Sequence, residues 1–512
     1  MAKIASVRVG GNSLGLAFRR ASTGRVLRWC AVAAVCALVV ATAATTAAAK
    51  TSRGHVIVTP GTIPLRTALF DRMFEGPQQS IAFPMARAAG ATYLRLPVPW
   101  NSIAPGTPPT DFVATDPTSP GYSWSGLDAT VEGAEAAGLT PILDIVGVPQ
   151  WAYKTLPSGV NGGTPRASDL GDFATALATH YDGLTLGVPA VSIFQVWNEA
   201  NLSLDLNPVS ASAYRGMVNA VSAAVHAVDP GNLVVAGDLD PFGHPKSKKQ
   251  KWYSISPLTY MRSLLCLSTG AHPHVTCHDP VHFDIWSHHP YTFGGPFGRA
   301  KNPNDVELGD LPRMRALLKA AVNHHAVVSA HPVQFWVTEF GWDTNPPRKH
   351  AASLSLAARW TAESLHQMWL DGISLVTWFL IEDYPSPSAY QSGLYYHAKS
   401  LEDARPKPTR TAFRFPFVAY LKQQKKKTSV TIWGRDATSD METVTLQLRP
   451  GKTGRWRTVA LVRANRYGIF KATLNVKATK KDWLRASATG SGKSLPFSLT
   501  VPHDPHIGPW GN

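Results

Sequence analysis

The stretch FQVWNEANL, residues 194–202, decides how this chain is read. It completes an apolar run, VSIFQVW (191–197), built from the β-branched and aromatic residues that suit a buried strand. Yet it finishes on an amide and a carboxylate, Asn198 and Glu199, and passes into a polar loop. A charged group at the end of a buried strand is explained if that end opens onto a wet cleft. The same design recurs in QFWVTEFGWDT (334–344), where Glu339 closes the run VQFWVTE.

Working outward, six more short runs have strand character: RTALF (66–70), TYLRLPV (92–98), PILDIVG (141–147), LVVAGD (233–238), FDIWSH (283–288) and ISLVTWF (373–379). Helical stretches separate them, among them SGLDATVEGAEAAG, SDLGDFATALATHYDG, LPRMRALLKAAVNHH and SLSLAARWTAESLHQMWLDG. Ser168–Asp169 and Gly183 are start and stop signals for the second of these. Strand–helix alternation predicts a parallel sheet covered by helices, and eight strands predict an α/β fold of the (β/α)8 TIM-barrel type. A doubly wound open sheet fits less well, because no Gly-rich loop follows the first strand. The polar residues favour the barrel: Arg95, Glu199, Asp238, His288 and Glu339 fall at or close to the carboxyl ends of their strands, which converge on one face.

The net charge of +16 sits at the two ends of the sequence. Residues 1–50 carry seven Lys or Arg and no acid, residues 421–512 carry seventeen basic and five acidic residues, and the region between is mildly acidic. Basic residues followed by the apolar run WCAVAAVCALVVATAATTAAAK describe a secretory signal over residues 1–49, ending at an Ala-x-Ala site near Ala47–Ala49. A secreted or cell-surface location follows, with a membrane anchor as the alternative if the signal stays in place. Residues 50–64 read as a linker, 65–420 as the barrel, 428–503 as a basic β-sandwich of short alternating runs, and 504–512 as a loose tail. LKQQKKKT (421–428) reads as the joint between the two domains. Outside the signal only Cys266 and Cys277 remain, and in an exported chain that pair reads as a disulfide. Metal ligation is its rival, with His272, His274, His278 and His282 nearby at spacings that match a zinc site poorly.

In an eight-stranded barrel, strands four and seven face each other across the mouth, so Glu199 and Glu339 can meet in one cleft, expected to be lined by Trp197, Trp342 and Trp378. Paired carboxylates in an aromatic cleft suit glycosidic bond cleavage: one donates a proton to the leaving oxygen and one stays ionised. At a separation of about 5–5.5 Å the ionised one attacks directly and stereochemistry is retained.

Six segments carry a resemblance in the right order. VWNEAN resembles the acid/base strand, and WVTEFGW the nucleophile strand, of clan A glycoside hydrolases, closest to families 39 and 5. TYLRLPVPW, LDIVGVPQWA, SHHPYT and LVTWFLIED resemble the second, third, sixth and eighth strands of that clan. The resemblance covers roughly residues 65–420. It implies Glu199 as acid/base, Glu339 as nucleophile, and Asn198 as the partner of the sugar hydroxyl beside the anomeric carbon. Arg95 and Tyr291 would hold Glu339 ionised and aimed, and His289 and Trp378 would line the sugar subsite, with Trp342 beside them. No metal or organic cofactor is implied.

Simpler readings stand beside these. Arg95 pairing only with Asp144 would be structural, and either imidazole of His288–His289 can be a satisfied core group. Trp100, Trp124, Trp151 and Trp286 serve equally well as packing, and Asp238 and Glu382 match no catalytic position. The clan's commoner Glu-Pro-x is replaced by Glu-Ala-Asn, and the basic loop DPFGHPKSKKQKWYS (240–254) points to acidic groups on the sugar. The partner expected is an oligo- or polysaccharide substrate and not nucleic acid; the basic sandwich either packs against the barrel and presents a solvated basic surface, the favoured reading, or binds an anionic cell-wall or matrix polymer. A non-catalytic carbohydrate-binding protein on the same barrel, and a transglycosylase, are the alternatives to a secreted retaining hydrolase.

Overall fold

The computed structural model describes residues 56–59, 63–270, 272–386, 390–424, 427–437 and 441–510. The signal assigned to residues 1–49 lies outside them.

Eight parallel strands close into a barrel: β1 (Arg66–Phe70), β2 (Tyr93–Pro99), β3 (Thr140–Val146), β4 (Ile193–Val196), β5 (Leu233–Leu239), β6 (Ile285–His288), β7 (Gln334–Val337) and β8 (Leu375–Phe379), with β8 pairing back to β1. All eight expected strands are present. The principal outer helices are α1 (Gln79–Ala88), α2 (Ser125–Ala136), α3 (Ala167–His180), α4 (Ala211–Val228), α5 (Pro257–Leu264), α6 (Leu311–Asn323), α7 (Leu354–Leu370) and α8 (Pro408–Arg414). Ser210 and Ser353 cap α4 and α7 by accepting from Ala213 N and Leu356 N. Helix α3 starts one residue before the expected Ser168, which therefore lies in its first turn and does not cap it.

Inward side chains alternate along each strand, so the barrel interior is layered. The bottom layer is apolar: Ala68, Ile142, Ile193, Val235, Ile285, Trp336 and Leu375 pack together, with Tyr93 against them. Two residues further along come Phe70, Arg95, Asp144, Gln195, Gly237, Ser287, Thr338 and Thr377. The plug excludes water from below, and the polar layer above it forms the floor of the site.

Past the barrel, β9 (Phe417–Gln424), β10 (Lys427–Arg435) and β13 (Ile469–Leu474) form one antiparallel sheet; β11 (Thr443–Arg449), β12 (Arg457–Arg463) and β14 (Trp483–Ala488) form the centre of another. The first sheet packs on α7, where His366 and Trp369 meet Trp433 at ring distances of 4.9 and 5.7 Å. Three boundaries differ from expectation. The strand Val56–Val58, inside the expected linker, pairs parallel to β12, because its backbone satisfies an otherwise open sheet edge. Residues 417–424, assigned to the barrel's end and the joint, form β9 of the sandwich, paired in continuous register with β10. Residues 504–510 are not a loose tail: Trp360 Nε1 donates to Asp504 Oδ1 at 2.8 Å, Gly294 N to Ile507 O at 3.0 Å and Asp343 N to Pro509 O at 2.7 Å. Cys266 and Cys277 form a disulfide between α5 and β6.

Candidate active site

The site begins with the backbone at the end of β4. Trp197 and Glu199 have φ of 71° and 37°, in the left-handed region that non-glycine residues avoid. Such strain costs about 1–3 kcal/mol per residue and persists only where the surroundings impose it. Here Trp197 N donates to Ile145 O at 3.2 Å, Trp197 Nε1 to Asp205 O at 3.1 Å, and Glu199 N to Asp238 O at 3.0 Å. These bonds turn the chain sharply and aim Asn198 and Glu199 into the mouth.

Asp238 arrives by a second irregularity. Opposite Ser287 the register of β5 against β6 shifts, leaving an extra residue on β5. Gly237 makes the bend at φ 109°, and a Cβ there would lie 2.4 Å from Ser287 O. The bulge turns Asp238 inward, where it accepts from Gln195, Thr338 and, at 2.9 Å, Ser287 Oγ.

Arg95 joins the two halves of the site. Its Nη2 lies 2.8 Å from Asp144 Oδ2, Asp238 Oδ2 and Asn198 Oδ1, and its Nη1 donates to Glu339 Oε2 at 3.0 Å. Tyr291 Oη donates to the other oxygen of Glu339 at 2.7 Å. Across the mouth, His289 Nδ1 lies 2.9 Å from Glu199 Oε1, and its Nε2 lies 3.3 Å from Asp238 Oδ1. The chain of contacts Glu199–His289–Asp238–Arg95–Glu339 is therefore continuous. Within it Arg95, Asp238 and His289 are 0–1% exposed, whereas Glu199 and Glu339 are 17% and 16% exposed. Of these five, the two glutamates are the ones open to the cleft.

Burial and neighbouring charge set the electrostatics of the mouth. Burial pushes the Glu199 carboxyl up, against the hydrogen bond and charge of His289. Burial also pushes Asp238 up, but Arg95 and His289 outweigh it and hold it below the ordinary carboxylate range. His289 is raised to about 10, because Asp238 and Glu199 overcome the burial that would lower it. Its neighbour His288 is driven down to about 3 by burial and bonds Val306 O, which makes it a neutral structural group. Asp144 and Asp205 are raised to about 7 and about 8, burial leading in both; Arg95 opposes it at Asp144, and the charge of Glu199 adds to it at Asp205.

A family model described as Cellulase (glycosyl hydrolase family 5) matches residues 70–381, more than half of the chain. The chain belongs to glycosyl hydrolase family 5. It is a clan A glycosidase, and its substrates are oligo- or polysaccharides. Solved structures similar to this family 5 chain include a family 39 glycoside hydrolase from Bacteroides cellulosilyticus, at 14% identity and TM-score 0.48, covering 81% of this chain and 83% of that one. A monomeric beta-xylosidase from Caulobacter crescentus matches at 14% identity and TM-score 0.47, over 83% and 100% of the two chains. A GH39 enzyme from Xanthomonas axonopodis pv. citri matches at 13% identity and TM-score 0.47, over 84% and 96%. No curated protein matches the chain in sequence.

Not every expected residue of this family 5 site faces the cleft. Trp342 and Trp378 are 1% exposed, and Trp197 is buried as well. Trp342 donates to Thr292 O and packs on Phe340 and Trp360; Trp378 donates to Ser392 O and packs on Phe413 of α8. Alternation along β8 is the reason: Trp378 points outward to the helices, and its neighbour Phe379 points inward, 5.4 Å from Phe70 and 5.1 Å from Tyr390. Asn198 is held at both ends, accepting from Arg95 and donating to Asp205 Oδ1 at 3.2 Å, with one amide hydrogen left over. Sequence reasoning gave Asp238 no role and missed Trp510, whose ring lies 4.8 Å from that of Tyr291. Trp510 covers the tyrosine that holds Glu339.

Proposed function

We propose that the protein is an exported retaining glycosidase in which Glu199 is the acid/base and Glu339 the nucleophile. The observation that carries the reading is the pair itself: Glu199 and Glu339 are joined through one network of buried charge and are its part-exposed members, one held by His289 and the other by Arg95 and Tyr291. Glu199, raised by burial, donates its proton to the glycosidic oxygen as that bond breaks. Glu339, its oxygens fixed by Arg95 and Tyr291, attacks the anomeric carbon and forms a glycosyl ester. Glu199, now ionised, takes a proton from water; the water oxygen bonds to the anomeric carbon and Glu339 leaves, restoring the Glu199 acid and the Glu339 carboxylate. The spare amide hydrogen of Asn198 is the one available to a ring hydroxyl beside the reacting carbon. Export is supported by the basic-then-apolar pattern of residues 1–49 and by a disulfide suited to an oxidising compartment.

A panel of aryl glycosides, α and β, identifies the sugar; nuclear magnetic resonance of the first product formed then reads its anomeric configuration. Retention is expected. Inversion, or turnover unchanged in Glu339→Gln, overturns the mechanism.

A further inference from the structure

We infer that the outer face of the second sandwich sheet is a binding site for a polyanionic polysaccharide, built on Arg449, Arg485 and Trp456. This inference goes beyond the barrel's chemistry and does not depend on it. Along β11 the buried Leu446 and Leu448 alternate with Gln447 and Arg449, which point outward. The register places Arg485 of β14 beside Gln447 and Trp483 beside Arg449. Trp456, at the entry to β12, completes the face.

The guanidinium carbon of Arg485 lies 4.2 Å from the centre of the Trp456 ring, and that of Arg449 lies 4.7 Å from the same centre and 5.6 Å from that of Trp483. Arg485 Nε donates to Gln447 Oε1 at 2.8 Å. Two cations are thus gathered on one indole, and the arginines that are ion-paired among the described residues, Arg95, Arg166, Arg215, Arg313, Arg348 and Arg359, do not include them. Asp482, adjacent in sequence to Trp483, is taken up by the backbone N–H groups of Gly451 and Thr479. The charge of Arg449 adds to burial in lowering Arg485, the signature of like charges brought together. Exposed Arg455 and Arg457 flank Trp456 and extend the positive field.

Stacking on the rings and the bond to Gln447 hold these cations side by side against their mutual repulsion, and a bound anion relieves that repulsion. The planar guanidiniums, held in place by the ring and the amide, present their N–H forks to carboxylate or sulfate oxygens. The half-buried edges of Trp456 and Trp483 offer apolar surface to the C–H side of a sugar ring. A chain of acidic sugars supplies both, whereas duplex nucleic acid keeps its bases stacked inside and offers charge alone.

The test uses the full chain carrying Glu339→Gln, so that binding is measured without turnover. Affinity electrophoresis against polygalacturonate, sulfated dextran and neutral dextran reads the ligand class. Retardation is expected in at least one of the two acidic gels and not in the neutral one; the two acidic gels distinguish carboxylate from sulfate. Adding Arg449→Gln and Arg485→Gln is expected to weaken that binding at least about tenfold. Removing the same charge elsewhere, by Lys422→Gln and Arg466→Gln, is expected to change it less than about twofold. Equal loss in both double variants overturns the site. So does retardation in no acidic gel, or equal binding to duplex DNA. Arg449→Lys with Arg485→Lys separates a built site from bulk charge, because lysine keeps the charge and loses the fork. Full binding by that variant overturns the proposal.

Discussion

At the barrel mouth one guanidinium, Arg95, serves four partners; on the sandwich face two guanidiniums, Arg449 and Arg485, share one tryptophan ring. In the mouth, burial makes an unpaired charge costly, so cations and anions are interleaved around the two part-exposed glutamates. On the sandwich, solvent screens the repulsion, and unpaired cations are tolerated where a ligand can meet them. The same side chain is a structural and positioning element in one place and a recognition element in the other. The difference is set by water.

The largest expected effect tests the mouth. Glu339→Gln removes the proposed nucleophile, and a loss of about 10⁴-fold or more in kcat is expected for every glycoside the enzyme cleaves. Glu199→Gln comes next: about 10²–10⁴-fold on a poor leaving group, and much less on a dinitrophenyl glycoside, whose leaving group needs no proton. Comparing the two substrates isolates the acid step.

Asp238→Asn tests whether pairing holds the mouth together. It leaves Arg95 and His289 short of a counter-charge, and about 3–5 kcal/mol of stability is expected to go. Because the folded state holds Asp238 below its ordinary range, its contribution is present above about pH 4 and is lost as the pH falls. The gap in melting temperature between variant and wild type therefore narrows in acid. A constant gap contradicts the pairing account.

His289→Gln removes the cation that lowers Glu199, so the basic limb of kcat/KM is expected to move to higher pH. Trp510→Ala uncovers Tyr291, and a ring contact of this kind is worth about 0.5–1.5 kcal/mol, which predicts a loss in kcat/KM of about 2–10-fold. The smallest effect completes the contrast. Arg485→Gln is expected to cost no more than about 1 kcal/mol of stability, since it removes a ring contact and a hydrogen bond but no ion pair. A large destabilisation there would mean that the sandwich arginines are structural after all.

The candidate site residues that the structure brings together share one property: each lies on or just past a barrel strand whose length and apolar character are local signals. Glu199, Glu339, Arg95 and Tyr291 are of this kind, and the structure joins all four. Asp238 was legible as a strand-end residue but not as the hub, because a bulge at Gly237 turns it and bulges leave little trace in hydropathy. Trp378 was misread by one position, since a single step along a strand exchanges inside for outside and the clustered aromatics TWF do not show which is which.

The sequence by itself determined the barrel, its order of strands, the two facing carboxylates and the only cysteine pair outside the leading segment. These follow from periodicity and chain order, which neighbouring residues encode. Only the tertiary structure decided which charges are hidden and which are open. It also revealed that residues 56–58 complete a sheet some 400 residues away, that Trp510 reaches Tyr291, and that two arginines meet on Trp456. Burial and partner choice depend on contacts between segments distant in the chain, and no local pattern carries that information.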